Sequence, residues 1–221
     1  MKLSSSTLSI LKNFSGINQG LIINAGSELA TMPREKSVYA CAKLPESFPV
    51  SCQIWNLPLF LQVFSALDEP DIEWFEDHAI LVSGPIRWKF VYGRNVEPVP
   101  PKYDDIKTKF KFDAEFQLTR DELIKITKMI GILGAETIDF SVKDGVASID
   151  LKGSNSACDT LFTLKLDAEF DPDISVKVSI LRGIFNVIQS SYTISVSDTS
   201  IMMYSGDWNL TYIMAGATVE E

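Results

Sequence analysis

Leu3-Ser4-Ser5-Ser6-Thr7-Leu8-Ser9-Ile10-Leu11 near the start of the chain and Leu118-Thr119-Arg120-Asp121-Glu122-Leu123-Ile124-Lys125-Ile126 past its middle share one pattern. Each is Leu, a hydroxyl residue, then apolar residues at matching offsets: Leu3-Ser4-x-x-x-Leu8-x-x-Leu11 and Leu118-Thr119-x-x-x-Leu123-x-x-Ile126. A Ser or Thr directly before such a run reads as a helix N-cap, because its side-chain oxygen can accept an N–H that has no intrahelical partner. The apolar spacing places one buried stripe on each helix. A second pair of segments repeats the correspondence: Phe60-Leu61-x-Val63-Phe64 matches Ile184-Phe185-x-Val187-Ile188.

Working outward, the first half reads as a helix over residues 4–15, strands at 20–24, 37–42 and 50–55, a helix at 57–67, and strands at 71–75, 79–82 and 86–92. Residues 93–109 contain Pro98, Pro100 and Pro101 and read as an extended connector, since proline suits neither a helix interior nor a central strand. The order then recurs. A strand at 110–118 leads into a helix at 119–130 and strands at 137–142, 146–151, 160–166 and 174–178; a helix at 180–189 precedes strands at 192–196, 200–204 and 210–214. The expectation is an α+β fold with two duplicated domains, residues 1–92 and 110–221, joined by the connector 93–109.

The totals agree with two domains of ordinary size: 221 residues, 46% hydrophobic and 22% charged, against domains of about 100–150 residues. No apolar run is long enough to span a membrane and no continuous apolar signal segment opens the chain, so a cytoplasmic protein with no membrane partner is expected. Cys41, Cys52 and Cys158 form no CxxC pair and are read as reduced, packing cysteines. The net charge of −9 argues against a uniformly basic nucleic-acid coat and confines any DNA contact to one face.

Basic residues do concentrate on helix faces. Leu123, Ile126, Thr127 and Ile130 share one face of the third helix, with Lys125 and Lys128 on the other. In the first helix Lys12 lies opposite Leu3, Thr7, Ile10, Leu11 and Phe14; in the fourth, Arg182 and Asn186 oppose Leu181, Ile184, Phe185 and Ile188. The second helix departs from the design, showing Leu59, Gln62 and Ala66 without a positive charge. Such faces suit phosphate contact blind to base sequence. Lys12, Lys125, Lys128, Arg182 and Asn186 are therefore the candidate DNA contacts.

Catalysis finds little support. The single histidine, His78, sits beside Glu76 and Asp77 in a turn-like stretch, and neither a nucleophile elbow nor a phosphate loop is present. Asp104-Asp105 and Asp171-Pro172-Asp173 fall in polar loops where solvated charge is commoner than a metal site. No catalytic residue, metal or cofactor is assigned. A hydrolase would need a site not visible here, and a β-rich structural or interaction protein would give no reason for lysines to share a face across three helices.

At Met1-Lys2-Leu3-Ser4, Leu11-Lys12-Asn13-Phe14, Ile17-Asn18 and Gly20 the chain resembles the opening of the DNA polymerase sliding clamps of T-even-type bacteriophages, with residues Thr137-Ile138 and the helix before them as the best later match. The resemblance implies a homotrimeric ring of clamp domains with helices toward duplex DNA, loaded by an ATP-driven clamp loader and tethering a replicative DNA polymerase. It further implies a partner-peptide pocket by the connector, here Val96, Pro98, Val99, Tyr212, Met214 and Ala215, with Leu44 beside them; the alternative for Tyr212 and Met214 is that they complete the inner face of the sheet. It also places residues 86–92 near a subunit boundary. In that strand Ile86, Trp88, Phe90 and Tyr92 alternate with Arg87, Lys89 and Val91, so one face is apolar and aromatic: the pattern alone reads as an ordinary core-facing strand, whereas the resemblance implies Trp88, Phe90 and Tyr92 at the subunit interface.

Overall fold

The computed structural model describes residues 1–143, 146–153, 162–165, 173–177, 191–197, 199–207 and 209–216, and divides the chain into two units, Met1–Tyr103 and Asp104–Glu221. In the first, Ser4 caps helix α1 (Ser5–Ile17), accepting the Thr7 N–H at 3.2 Å. A carboxylate reinforces this cap, as Glu46 accepts both the Ser4 N–H and the Thr7 hydroxyl. Thr7, Ile10, Leu11, Asn13 and Phe14 form the buried stripe of α1.

Strands β1 (Leu21–Ile23), β2 (Gly26–Thr31), β3 (Val38–Phe48) and β4 (Cys52–Ile54) follow, antiparallel and in the order β4-β1-β2-β3. The sequence reading missed β2, and it ended β3 too early. Gly26-Ser27-Glu28 is weak strand material, so β2 depends on pairing with β1 and β3 rather than on propensity. Pro45 stands inside β3 without an N–H to donate. The ladder accommodates it by a register shift, with Glu28 opposite Lys43 but Gly26 opposite Phe48, so that the intervening residues of β3 leave regular pairing.

Helix α2 (Leu57–Ala66) begins at Asn56, whose side-chain oxygen accepts the Leu59 N–H at 2.9 Å, with Pro58 in the first turn where a missing N–H costs nothing. Leu57, Phe60, Leu61 and Phe64 are buried. Strands β5 (Asp71–Trp74), β6 (His78–Ser83) and β7 (Ile86–Val91) make an antiparallel meander in that order. Phe60 meets this meander, its ring centroid lying 6.5 Å from Trp74, 6.4 Å from Trp88 and 5.4 Å from Phe90.

After the connector comes a short helix, α3 (Tyr103–Lys107), where the sequence reading had extended chain through residue 109. The last proline of the connector is Pro101, and Asp104 and Asp105 favour a first helical turn. In the second unit β8 (Ala114–Leu118) leads to α4 (Arg120–Leu133), β9 (Ala135–Lys143), β10 (Val146–Gly153), β11 (Phe162–Lys165), β12 (Asp173–Lys177), β13 (Tyr192–Val196), β14 (Ser200–Ser205) and β15 (Leu210–Ala215). The antiparallel orders are β8-β13-β14-β15 and β11-β10-β9-β12.

Thr119 and Glu122 form a reciprocal capping box on α4, and Gly134 closes it at φ 62°, a left-handed conformation in which glycine carries no steric penalty. Leu123, Ile126 and Ile130 are buried, together with Ile138 and Phe140 of β9 and Ala147, Ile149 and Leu151 of β10. The other face of β9 and β10 is polar: Ser141 and Ser148 hydroxyls lie 2.6 Å apart, and Lys152 pairs with Asp139. The predicted helix at 180–189, with Arg182 and Asn186, lies outside the described residues, as does Cys158.

Candidate nucleic-acid interface and connector

Lys12 is exposed on α1, and Lys125 and Lys128 are exposed on α4. Among the described residues none of the three is in an ion pair; Asp121, four residues before Lys125, forms none with it. Unpaired ammonium groups keep their full long-range field for an incoming polyanion. Beside Lys12 is a groove of about 470 Å³ whose lining includes Ser15 of α1 and Pro58, Leu61, Gln62 and Ser65 of α2. Gln62 and Ala66 are exposed, whereas Leu59 is half-buried, so α2 presents a more polar surface than its sequence suggests.

The connector is fastened at several points. Gln53 of β4 accepts the Gly93 N–H through its backbone carbonyl at 2.8 Å and the Val96 N–H through Oε1 at 2.9 Å. Val96 is buried against Gly20, so closely that a Cβ on residue 20 would stand 2.6 Å from Val96 Cγ1. Asn18 donates to the Glu97 carbonyl at 3.4 Å, and the Tyr39 hydroxyl donates to the Pro101 carbonyl at 3.1 Å. None of Asn18, Gln53 and Tyr39 was singled out from sequence as a connector contact; Asn18 and Gly20 entered only among the residues that carry the family resemblance.

The proposed peptide-pocket residues divide. Val99 is 71% exposed and Pro98 half-buried, but Val96 is buried. Tyr212 and Met214 are both fully buried, the Tyr212 ring 6.5 Å from that of Tyr192, while Ala215 is exposed. Tyr212 and Met214 thus lie inside the fold, with their neighbours Thr211 and Ile213 buried as well, and Pro98, Val99 and Ala215 are the pocket candidates that reach the surface. Leu44 is also buried.

Strand β7 divides in the same way. Phe90 is only 3% exposed and is flanked by Phe60, Trp88 and Trp55, the last stacked at 6.2 Å. Trp88 and Tyr92 are half-buried, whereas Arg87, Lys89 and Val91 are exposed. Phe90 therefore packs in the core, while Ile86, 53% exposed, and the half-buried Trp88 and Tyr92 leave part of the same face accessible. Among the described strands of its meander β7 pairs only with β6, leaving one backbone edge free.

His78, weighed above for catalysis, and the packing cysteine Cys52 both have structural surroundings. His78 Nδ1 lies 2.6 Å from Asp77 Oδ1 and its ring stacks on Phe75 at 4.6 Å. Burial pushes the Cys52 thiol up to about 12, far from a reactive thiolate. Among the described residues no helix is long and apolar enough to cross a membrane.

No family model matches the chain. Individual proteins do. The sliding clamp of Vibrio phage KVP40 is 28% identical over 220 residues, 97% of this chain and 98% of that protein. The sliding clamp of Enterobacteria phage T4 is 24% identical over 95% of this chain and 86% of its own. Among solved structures, the proliferating cellular nuclear antigen of Entamoeba histolytica superposes with a TM-score of 0.72 at 17% identity, covering 98% of this chain and 97% of that one. The PCNA2–PCNA3 complex of Sulfolobus tokodaii gives 0.72 at 12% identity, covering 96% and 95%. The chain is homologous along nearly its whole length to the bacteriophage sliding clamps and has the α+β clamp fold.

Proposed function

We infer that the chain is a DNA sliding clamp, a processivity factor that encircles duplex DNA and tethers a replicative polymerase. The observation that carries this reading is the relation to phage sliding clamps across 97% of the chain. The exposed, unpaired Lys12, Lys125 and Lys128 on an otherwise acidic chain support it. Phosphate contact of this kind holds DNA without reading its bases, which is what sliding requires.

Three copies close into a ring, with helices toward the DNA and sheets outside, and Arg182 and Asn186 add to the inner face. The free edge of β7 receives a strand from the neighbouring copy, so that no exposed edge remains. An ATP-driven loader opens the ring, and the polymerase docks a terminal peptide at the connector around Pro98 and Val99. The chain performs no catalytic step, binds no cofactor and works in the cytoplasm of an infected host cell.

Primer extension on a long single-primed circular template tests the reading. With loader and cognate polymerase, adding the chain lengthens the products of single binding events; product lengths that stay unchanged would refute processivity.

A further inference from the structure

We propose that Asn18 is the positioning residue of the connector, the side chain that fixes where Val99 is presented to a partner peptide. This rests on the reading above that a peptide docks at the connector. The amide of Asn18 is fully engaged: Oδ1 accepts the Gly20 N–H at 3.0 Å, and Nδ2 donates to the Met32 carbonyl at 3.0 Å and the Glu97 carbonyl at 3.4 Å. It thus joins the end of α1, the residue after β2 and the connector. Gly20, set in place by one of those bonds, is the residue whose missing Cβ leaves room for Val96.

The connector is held at Gly93, Val96 and Glu97 on one side and at Pro101 on the other. Between these anchors lies Pro98-Val99-Pro100, two fixed-φ residues around one projecting apolar side chain that is 71% exposed. A short stiff segment with both ends tied presents Val99 in one place, and a peptide docking there has little connector motion to freeze. Glu97 adjoins this segment, so the Asn18 bond is the anchor closest to the presented residue on the N-terminal side.

Asn18→Asp in the full chain is the discriminating change. The isosteric carboxylate can still accept the Gly20 N–H, but it loses both donors and sets negative charge against two carbonyl oxygens. Asn18→Ala is the second variant. Limited trypsin digestion reads connector release directly, because Arg94 and Lys102 are both exposed and flank the segment; cleavage after Lys125 on α4 reports general loosening.

We expect cleavage after Arg94 and Lys102 to accelerate about tenfold with cleavage after Lys125 unchanged, the factor for losing about 1.4 kcal/mol of hydrogen bonding. Affinity for a synthetic peptide copying the cognate polymerase's C-terminal tail should fall by a similar factor. Unchanged connector cleavage in both variants overturns the proposal, and so does faster cleavage with parental peptide affinity. A parent chain that binds no such peptide refutes the connector-docking reading itself and Asn18's role with it; the parent measurement alone tells that failure apart.

Discussion

The Thr7 hydroxyl donates to the carboxylate of Glu46, tying the first turn of α1 to the distant strand β3. Partial burial raises the Glu46 carboxyl, but hydrogen bonds from Thr7 and Ser4 outweigh it and hold it below its ordinary value of 4.5. A lowered folded-state value means that this stabilisation is complete above the ordinary carboxyl range and is lost as pH falls through the lowered one. Glu46→Gln should therefore destabilise the chain by about 1 kcal/mol at neutral pH, measured by urea unfolding, with the difference from the parent shrinking below pH 4.5. A difference that grows on acidification would contradict the assignment.

The buried aromatic cluster sets a second expectation. Phe90→Ala removes a ring lodged among Phe60, Trp88 and Trp55 and should cost about 3 kcal/mol in urea unfolding. Val91→Asp changes an exposed position next to it on the strand with the free edge. That variant should fold with parental stability and run as a monomer by native mass. Unimpaired assembly would remove β7 from the interface.

A third concerns the fit of the connector. Gly20→Ala drives a Cβ against Val96 Cγ1, a contact of 2.6 Å that something must relieve, and should destabilise by about 1–3 kcal/mol. Adding Val96→Ala should recover part of that loss, a favourable coupling seen in a double-mutant cycle. Strict additivity would show that the connector already yields at this point.

A fourth concerns the exposed lysines. Lys12→Ala, Lys125→Ala and Lys128→Ala together should leave the unfolding midpoint unchanged while weakening DNA association in a salt-dependent way. Each lost phosphate contact should reduce the logarithmic salt slope by about 0.9. An unchanged slope would place the DNA elsewhere.

Much of the fold is written locally, and those parts were legible. Ser4 and Thr119 announce α1 and α4 because a capping hydroxyl acts within its own first turn, and the structure has both caps. The meander β5–β7 is legible from short apolar runs such as Ala79 to Val82 and from the alternation of Trp88 and Phe90 with Arg87, Lys89 and Val91. What was not legible depends on distant partners. Strand β2 exists because β1 and β3 pair with it, and Pro45 survives in β3 through a register shift that no window around it reveals. The candidate site behaves the same way: helical periodicity exposes Lys12, Lys125 and Lys128 correctly, whereas the bond from Asn18 to Glu97 spans 79 residues. The burial of Phe90, Tyr212 and Met214 was one of two readings allowed by strand alternation, and only the packing chose between them.

Topological retention on DNA tests the central claim most directly. The chain is loaded on a nicked circular plasmid with its loader and ATP, separated by gel filtration in salt high enough to suppress simple phosphate binding, and measured before and after linearisation. The account predicts that the chain co-elutes with the circle and slides off once a single cut supplies ends. Equal retention on circular and linear DNA, or retention on neither, would contradict it.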